Sequence, residues 1–287
     1  MQVTEHIHAL KIPFRLSPRF VYVYLIYGDG EKICLIDSGI LSSEEQIFEY
    51  IKKTGRDPAE ITLLVQTHSH PDHIGASAEI KRFSGCRVAV HREEKQWIEN
   101  IDLQFRERPT GTFYSFVKSA VEVDMVIRDG DHLDLGAGQT LKVIHTPGHS
   151  RGMISLWFPE EGALFSGDAI PVKGGVPIYA DVLESIKSIR KLKQIEGVKV
   201  LLSSWNDPAL GDRTYEGMDE GLSYFQNLHE ILRKRIAASP SLAIKELCAR
   251  VLKDLGLPET FLNPNVVASI EAHLKEMRHQ DLLKVSS

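Results

Sequence analysis

The apolar positions change period along the chain, and the changes mark its elements. Residues 20–27 are an almost unbroken run of aromatic and β-branched side chains, residues 32–37 form a second run, and Gly28-Asp29-Gly30 between them is a turn signal. The pair predicts a β-hairpin. Over 43–54 the spacing becomes helical, with Ile47 and Ile51 four apart, Gly55 at the end and Pro58 beyond. A short apolar strand follows at 61–66, a loop at 67–72, a helix at 74–83 and a strand at 87–90. Strand, helix and strand in succession imply a sheet faced by helices.

Residues 92–120 carry Trp97, Phe105, Phe113, Tyr114 and Phe116 and read as a helical insertion, its aromatics assigned to the core rather than to a pocket. Gly and Asp in 129–136 mark turns between short strands. Strands are expected at 140–145, 153–158 and 163–166. Asp181, with Glu184 three residues on, opens a helix to 193, and 198–202 is read as the last strand. From Glu216 the pattern is helical. Leu222, Phe225, Leu228, Leu232 and Ile236 keep three-and-four spacing. Ser239-Pro240 has the form of an N-cap with Pro at N1, and Gly256 suits a helix end. Asn263-Pro264 opens a third helix with Val267, Ile270, Leu274 and Met277 on one face. The chain thus divides into 1–215 and 216–287.

Composition narrows the class. At 43% hydrophobic and 25% charged, the 287 residues have the balance of a globular protein with room for one large domain and an appendage. No apolar run reaches the ~18 residues of a membrane span, and no secretory signal is visible. A formal net charge of −5 disfavours nucleic acid as a partner. Cys34, Cys86 and Cys248 sit among apolar residues at unpatterned spacing, which predicts buried free thiols in a reducing cytoplasm.

The chemistry concentrates after the strand at 61–66. His68, His70, Asp72 and His73 place four metal-ligand side chains within six residues. In a strand-end loop two histidines can converge on one metal while Asp72 and His73 reach a second. Imidazole nitrogen with carboxylate oxygen suits zinc, with iron or manganese as alternatives. Three other strand ends carry candidates: Pro147-Gly148-His149 would leave His149 projecting, Ser166-Gly167-Asp168 offers a carboxylate able to bridge two cations, and Asp37-Ser38-Gly39 supplies another acid.

The order Asp-x-Gly, His-x-His-x-Asp-His, Pro-Gly-His, Ser-Gly-Asp resembles the metallo-β-lactamase superfamily, including glyoxalase II-like hydrolases, over roughly residues 5–210. The resemblance implies an α/β (α+β) fold, an αββα sandwich of two mixed sheets, and one or two divalent metal ions. His68, His70 and His149 would hold the first ion, Asp72 and His73 the second, and Asp168 would bridge them. Asp37 would orient a ligand histidine. Metal-bound hydroxide would attack an ester, thioester, lactone or amide carbonyl, or a phosphorus centre, with Asp72 as the catalytic residue that orients the water and takes its proton. The helices after 216 are more loosely similar to the extension of the β-lactamase-like protein 2 group, some of which are linked to acyl-thioester hydrolysis and others to RNA cleavage. A winged-helix-like arrangement is one reading of that extension.

Two positions bear on the ion sites. The family's last histidine follows the final strand, where this chain has Trp205, and indole has no lone pair to give a metal. Asn206 and Asp207 are the substitutes at hand. Position 70 is His, not the Glu of the diiron oxygen-reducing relatives, which removes the main support for a redox reading. His6, His8, His91, His132, His229 and His273 read as surface or packing residues, His145 as packing or support near the site, and Tyr179 as a residue of the pocket mouth.

The leading expectation is a cytoplasmic hydrolase of a small-molecule ester, thioester or lactone, with no membrane partner and compatible with a homodimer. The alternatives are a single-stranded RNA phosphodiesterase of the same fold, a mononuclear iron persulfide dioxygenase-like enzyme, and a regulatory binding protein with a degraded second metal site.

Overall fold

Phe20–Tyr27, the most apolar run in the sequence, is a strand buried along almost its whole length. Its alternate side chains serve two cores: Val21, Val23 and Leu25 face one, and Tyr22, Tyr24 and Ile26 the other. A strand covered on both faces needs no polar alternation. The structure, a computed structural model, describes residues 1–14, 19–28, 30, 32–136 and 138–285.

Two six-stranded sheets make up the body. The first runs in the order β1 (Ile7–Pro13), β2 (Phe20–Tyr27), β3 (Ile33–Ile36), β4 (Ile61–Val65), β5 (Arg87–His91), β6 (Met125–Ile127). It is antiparallel from β1 to β3 and parallel from β3 to β6. The second contains β7 (His132–Gly136), β8 (Gln139–His145), β9 (Ile154–Phe158), β10 (Ala163–Gly167), β11 (Val200–Ser203) and β12 (Ala209–Leu210), with β12 at one edge and β7 at the other. Among the described residues, β10 and β11 are the one parallel pair in this sheet. The inner faces meet in one core, in which Ile36, Val65 and Ala89 pack with Leu156, Phe165 and Leu202. The outer face of the first sheet is covered by the helices Ser43–Lys53 and Ser77–Ser84 and by the 92–120 insertion. That of the second is covered by Val182–Lys193 and the C-terminal helices. This is the αββα sandwich expected.

Four local expectations change. β1 was not read as a strand, because His8 and Lys11 interrupt its apolar pattern; it pairs with β2 from Ile7↔Ile26 to Pro13↔Phe20. β11 is not the last strand, since the two-residue β12 pairs with it. The helix expected over 74–83 is two helices, Pro71–Ile74 and Ser77–Ser84. The break falls at Gly75, where a Cβ would stand 2.2 Å from the Phe116 carbonyl oxygen and 2.4 Å from Ile40 C. Ser239 closes the helix Arg213–Ala238 through its N–H to Arg235 O and does not cap the next one, which starts at Ile244. The Gly28-Asp29-Gly30 turn includes Asp29, outside the described residues.

The C-terminal extension is helical. Among the described residues no strand follows Leu210, so a winged form would have no wing. The boundary expected at 216 falls in the first turn of Arg213–Ala238, whose Met218, Leu222 and Phe225 share a core with Ile186, Ile189 and Leu201. On the third helix, Pro264–Lys275, the buried side chains are Val266, Ser269, Ile270, Ala272 and His273, so the face is rotated from the one expected. Asn263 caps it, accepting from Asn265 N and Val266 N.

Candidate metal centre

The sequence-assigned residues meet beyond the C-terminal ends of β3, β4, β8 and β10. Asp37, just past β3, has φ +59, a left-handed conformation that Asp tolerates better than most residues. That geometry turns its carboxylate onto the loop after β4. Oδ1 accepts from Thr67 N at 2.7 Å, and Oδ2 accepts from Thr67 Oγ1 and lies 2.8 Å from His73 Nδ1. Thr67 Oγ1 is also 3.0 Å from His68 Nδ1. With its hydroxyl proton on Asp37, Thr67 can only accept from His68, which leaves the His68 Nε2 lone pair free. His149 Nδ1 is fixed in the same way by Ile178 O at 2.7 Å.

His68, His70, His149 and Asp168 each offer one atom within 4.8 Å of the others. His149 Nε2 is 2.8 Å from His70 Nδ1 and 3.4 Å from Asp168 Oδ2. His73 stands beside this group, its Nε2 3.4 Å from Asp168 Oδ1 and 4.0 Å from Asp72 Oδ2. His68 Nε2, His73 Nε2 and Asp168 Oδ1 are buried with no hydrogen-bond partner. An unpaired buried polar atom costs about 1–3 kcal/mol. Imidazole lone pairs converging on a carboxylate are the donor set a divalent cation satisfies, so the residues present fit a metal.

The charges are strongly shifted. Burial, then the neighbouring histidines, hold His68 well below the usual imidazole range, and burial and Arg108 do the same to His70. Burial pushes His149 down to about 4. His73 goes the other way: burial opposes its charge, but Asp168 and Asp37 outweigh it and hold the imidazole well above its ordinary value. For Asp168, burial is overcome by His73 and His149, and the carboxyl lies well below its usual range. Burial raises Asp72.

Three residues of the insertion were missed. Glu94, buried at the start of the helix Arg92–Glu99, accepts from Ser69 N at 3.1 Å, from Ser150 Oγ and Gly152 N at 2.7 Å, and from Ser69 Oγ. It ties the loop between His68 and His70 to the loop after His149. Gln104 donates to Ser69 O. Arg108 donates to His70 Nε2 and lies 3.5 Å from Asn265 Oδ1. The available signal was Glu94 one turn before the buried Ile98, a polar residue on an apolar helix face. His145 is elsewhere, stacked on His91 with ring centroids 4.2 Å apart. His229 and His273 are packing residues, fully buried between the C-terminal helices.

A cavity of about 480 Å³ opens on His70, Asp72, His149 and Asp168, with Trp205 and Tyr179 in its wall. Of the insertion's aromatics, Phe113 and Phe116 line it and also belong to the core of the first sheet, Phe105 packs on that core alone, Trp97 is half-buried and Tyr114 exposed, so the core assignment holds for Phe105, Phe113 and Phe116 and fails for Tyr114. Phe261, Asn263 and Asn265 bring the C-terminal extension to the same cavity.

Two mixed sheets with helices on both outer faces and a buried His/Asp cluster at their strand ends define a class, the metal-binding αββα proteins. The chain belongs to the metallo-beta-lactamase superfamily, whose sequence profile matches residues 16–204. It is 27% identical over 214 residues to the beta-lactamase-like protein 2 homolog of Caenorhabditis elegans, covering 74% of this chain and 63% of that one. It is 31% identical over 169 residues to an acyl-coenzyme A thioesterase of Homo sapiens, covering 52% and 57%. The chain therefore spans less than two thirds of the length of these curated relatives. The crystal structure of a metallo-beta-lactamase family protein from Thermus thermophilus shares the fold, with TM-score 0.77 and 22% identity over 96% of this chain and 94% of that one.

Proposed function

We propose that this protein is a metal-dependent hydrolase of a small-molecule ester, thioester or lactone, with zinc as its metal. The carrying observation is the convergence of three buried atoms that lack a hydrogen bond among the described residues, His68 Nε2, His73 Nε2 and Asp168 Oδ1, the last two 3.4 Å apart as an ion pair, beside a cavity walled by Phe113 and Phe116. The similarity to an acyl-coenzyme A thioesterase supports the thioester within this class. His68, His70, His149 and Asp168 would hold one divalent ion, and Asp72 and His73, beside Asp168, are the residues that would contribute to a second.

When bound, the ion supplies a Lewis acid and a water of lowered pKa. The protein's residues do the rest. Asp72 lines the cavity and burial raises its carboxyl above the usual range, so it accepts a proton from the attacking water and returns it to the leaving group. Asp37 fixes the rings of His73 and, through Thr67, His68. Phe113 and Phe116 cover the acyl part and keep water from it. The three buried cysteines are unpaired, which supports a cytoplasmic location.

Chelated and zinc-reloaded protein assayed on a thioester, a lactone and a phosphodiester tests the reading. Hydrolysis of the thioester or lactone that is lost on chelation and restored by zinc is expected. Full activity in metal-free protein, or turnover of the phosphodiester alone, would overturn it.

A further inference from the structure

Arg108 stands at this centre, and the metal chemistry leaves it unused. It caps the helix Ile101–Glu107 and reaches the cavity from the insertion side. Its Nη1 donates to His70 Nε2 while the His70 proton sits on Nδ1, an acceptor it would lose once Nδ1 gives its lone pair to a metal, and its Nη2 lies 3.5 Å from Asn265 Oδ1, at the start of the helix Pro264–Lys275. The guanidinium carbon is 5.7 Å from the Trp97 ring centroid. Among the described residues no carboxylate lies within ion-pair distance of it. Burial works against its charge, and only the longer-range fields of Glu94 and Asp72 favour it. A guanidinium carries five N–H donors in a planar fork, and the two contacts here use two of them. Such a cation beside a metal centre is mismatched to its surroundings until an anion completes it.

We propose that Arg108, with Asn265 beside it, forms an anion subsite that holds a compact oxyanion of the substrate next to the scissile bond. The substrate class is then an acyl compound carrying a carboxylate or a phosphate close to the reacting carbonyl. The oxyanion takes the guanidinium fork in a charge-assisted pair, stronger than the present bond to a neutral imidazole. Asn265 turns its amide N–H toward the same anion. The subsite joins the insertion to the C-terminal extension, so both appendages act in selection. The role as a specificity determinant rests on the hydrolase reading; the presence of the anion subsite does not.

The test has a binding arm and a kinetic arm. In the binding arm, succinate, inorganic phosphate and the neutral dimethyl succinate are titrated by calorimetry into zinc-loaded wild-type protein, Arg108→Gln and Arg108→Lys, with zinc content and melting temperature confirming that each variant is folded and loaded. At least one of the two anions binds, and Arg108→Gln weakens it roughly 10–100-fold, the loss expected for one charge-assisted hydrogen bond. Arg108→Lys falls between, because it keeps the charge and loses the fork. Which anion binds more tightly tells carboxylate from phosphate. In the kinetic arm, the succinyl thioester of N-acetylcysteamine is compared with the same thioester whose free carboxylate is capped as a methyl ester. The ratio of their kcat/KM values favours the free acid in wild type and collapses toward one in Arg108→Gln, mainly through KM. Unchanged anion affinity in Arg108→Gln, or equal loss on both thioesters, overturns the subsite. If neither thioester is turned over while the binding arm still shows the loss in Arg108→Gln, the subsite stands and the thioester part of the hydrolase reading fails; the lactone and ester parts are decided by the chelation assay.

Discussion

Trp205 donates its indole N–H to Asp168 Oδ2 at 2.9 Å, so one oxygen of the central carboxylate is already satisfied while Oδ1 faces His73 Nε2 at 3.4 Å. The indole stands where the resemblance to the family leads one to expect a last histidine, and it adds no nitrogen lone pair. Neither substitute fills in. Asp207 turns outward to Lys11 Nζ at 2.9 Å and Tyr22 Oη at 2.7 Å, and Asn206 is absent from the cavity wall. The protein should therefore bind its first zinc tightly and its second ~10–100-fold more weakly. Trp205→His should narrow that gap. Calorimetric zinc titration reads both; two equally tight sites in wild-type protein would show that the missing ligand does not matter.

Tyr179 couples the centre to the C-terminal helices. Ile178 O holds His149, and the next residue is bound by Ser269 and by His273, whose Nε2 accepts from Tyr179 Oη at 2.6 Å. Burial and then His229 push His273 down to about 3. In the unfolded chain it takes a proton near pH 6.5. Between those values the unfolded chain binds more protons, so stability falls as pH is lowered through this window and is fully present above pH 6.5. At pH 5 this one group costs on the order of 2 kcal/mol. His273→Gln keeps an acceptor for Tyr179 and removes the titration. Its melting temperature should drop less than that of wild type between pH 7 and pH 5; parallel curves would remove His273 from the account.

The candidate ligand residues were legible because they follow apolar strands, which announce themselves by local runs, and because four of them, His68, His70, Asp72 and His73, fall within six residues, the last two in the short helix Pro71–Ile74. The insertion was not legible in the same way. Glu94 works only by bridging Ser69 and Ser150, one 25 residues before it and the other 56 after, a relationship with no local signal beyond a polar residue on a buried helix face. Arg108 reaches Asn265 across 157 residues. Trp205 was placed by register alone, and its bond to Asp168 required the two strand ends to be seen side by side. β1 was missed because its pairing with β2, not its own pattern, makes it a strand.

Glu94→Ala should test the tie between the two histidine loops. The change strands two buried backbone donors, Ser69 N and Gly152 N, and two serine hydroxyls. A loss of about 2–4 kcal/mol in stability is expected, from unsatisfied donors at roughly 1–3 kcal/mol each with partial relaxation. First-site zinc affinity should fall ~10–100-fold, because both histidine loops lose their anchor. Chemical denaturation and zinc competition with a chromophoric chelator measure the two effects. A destabilised variant with wild-type zinc affinity would limit Glu94 to packing.

Gly148 sets the position of His149 by a different route. Its φ is +135, and a Cβ there would lie 2.3 Å from Ser185 Oγ and 2.4 Å from Ser185 N. The second atom is backbone, at the start of the helix Val182–Lys193, so no rotamer change relieves the clash. The Gly148 carbonyl also accepts from Ala180 N at 2.7 Å and Asp181 N at 3.0 Å, tying the turn to that helix. Gly148→Ala must push the two apart and carry His149 away from His70 and Asp168. Gly130 is the control: its φ is +83 but nothing lies within 4 Å of its Cβ position, so Gly130→Ala meets only the left-handed strain of about 1–2 kcal/mol. Both variants should lose melting temperature, and only Gly148→Ala should lose first-site zinc affinity, by more than ~10-fold. Equal zinc affinities in the two would mean that His149 reaches the metal without help from this turn.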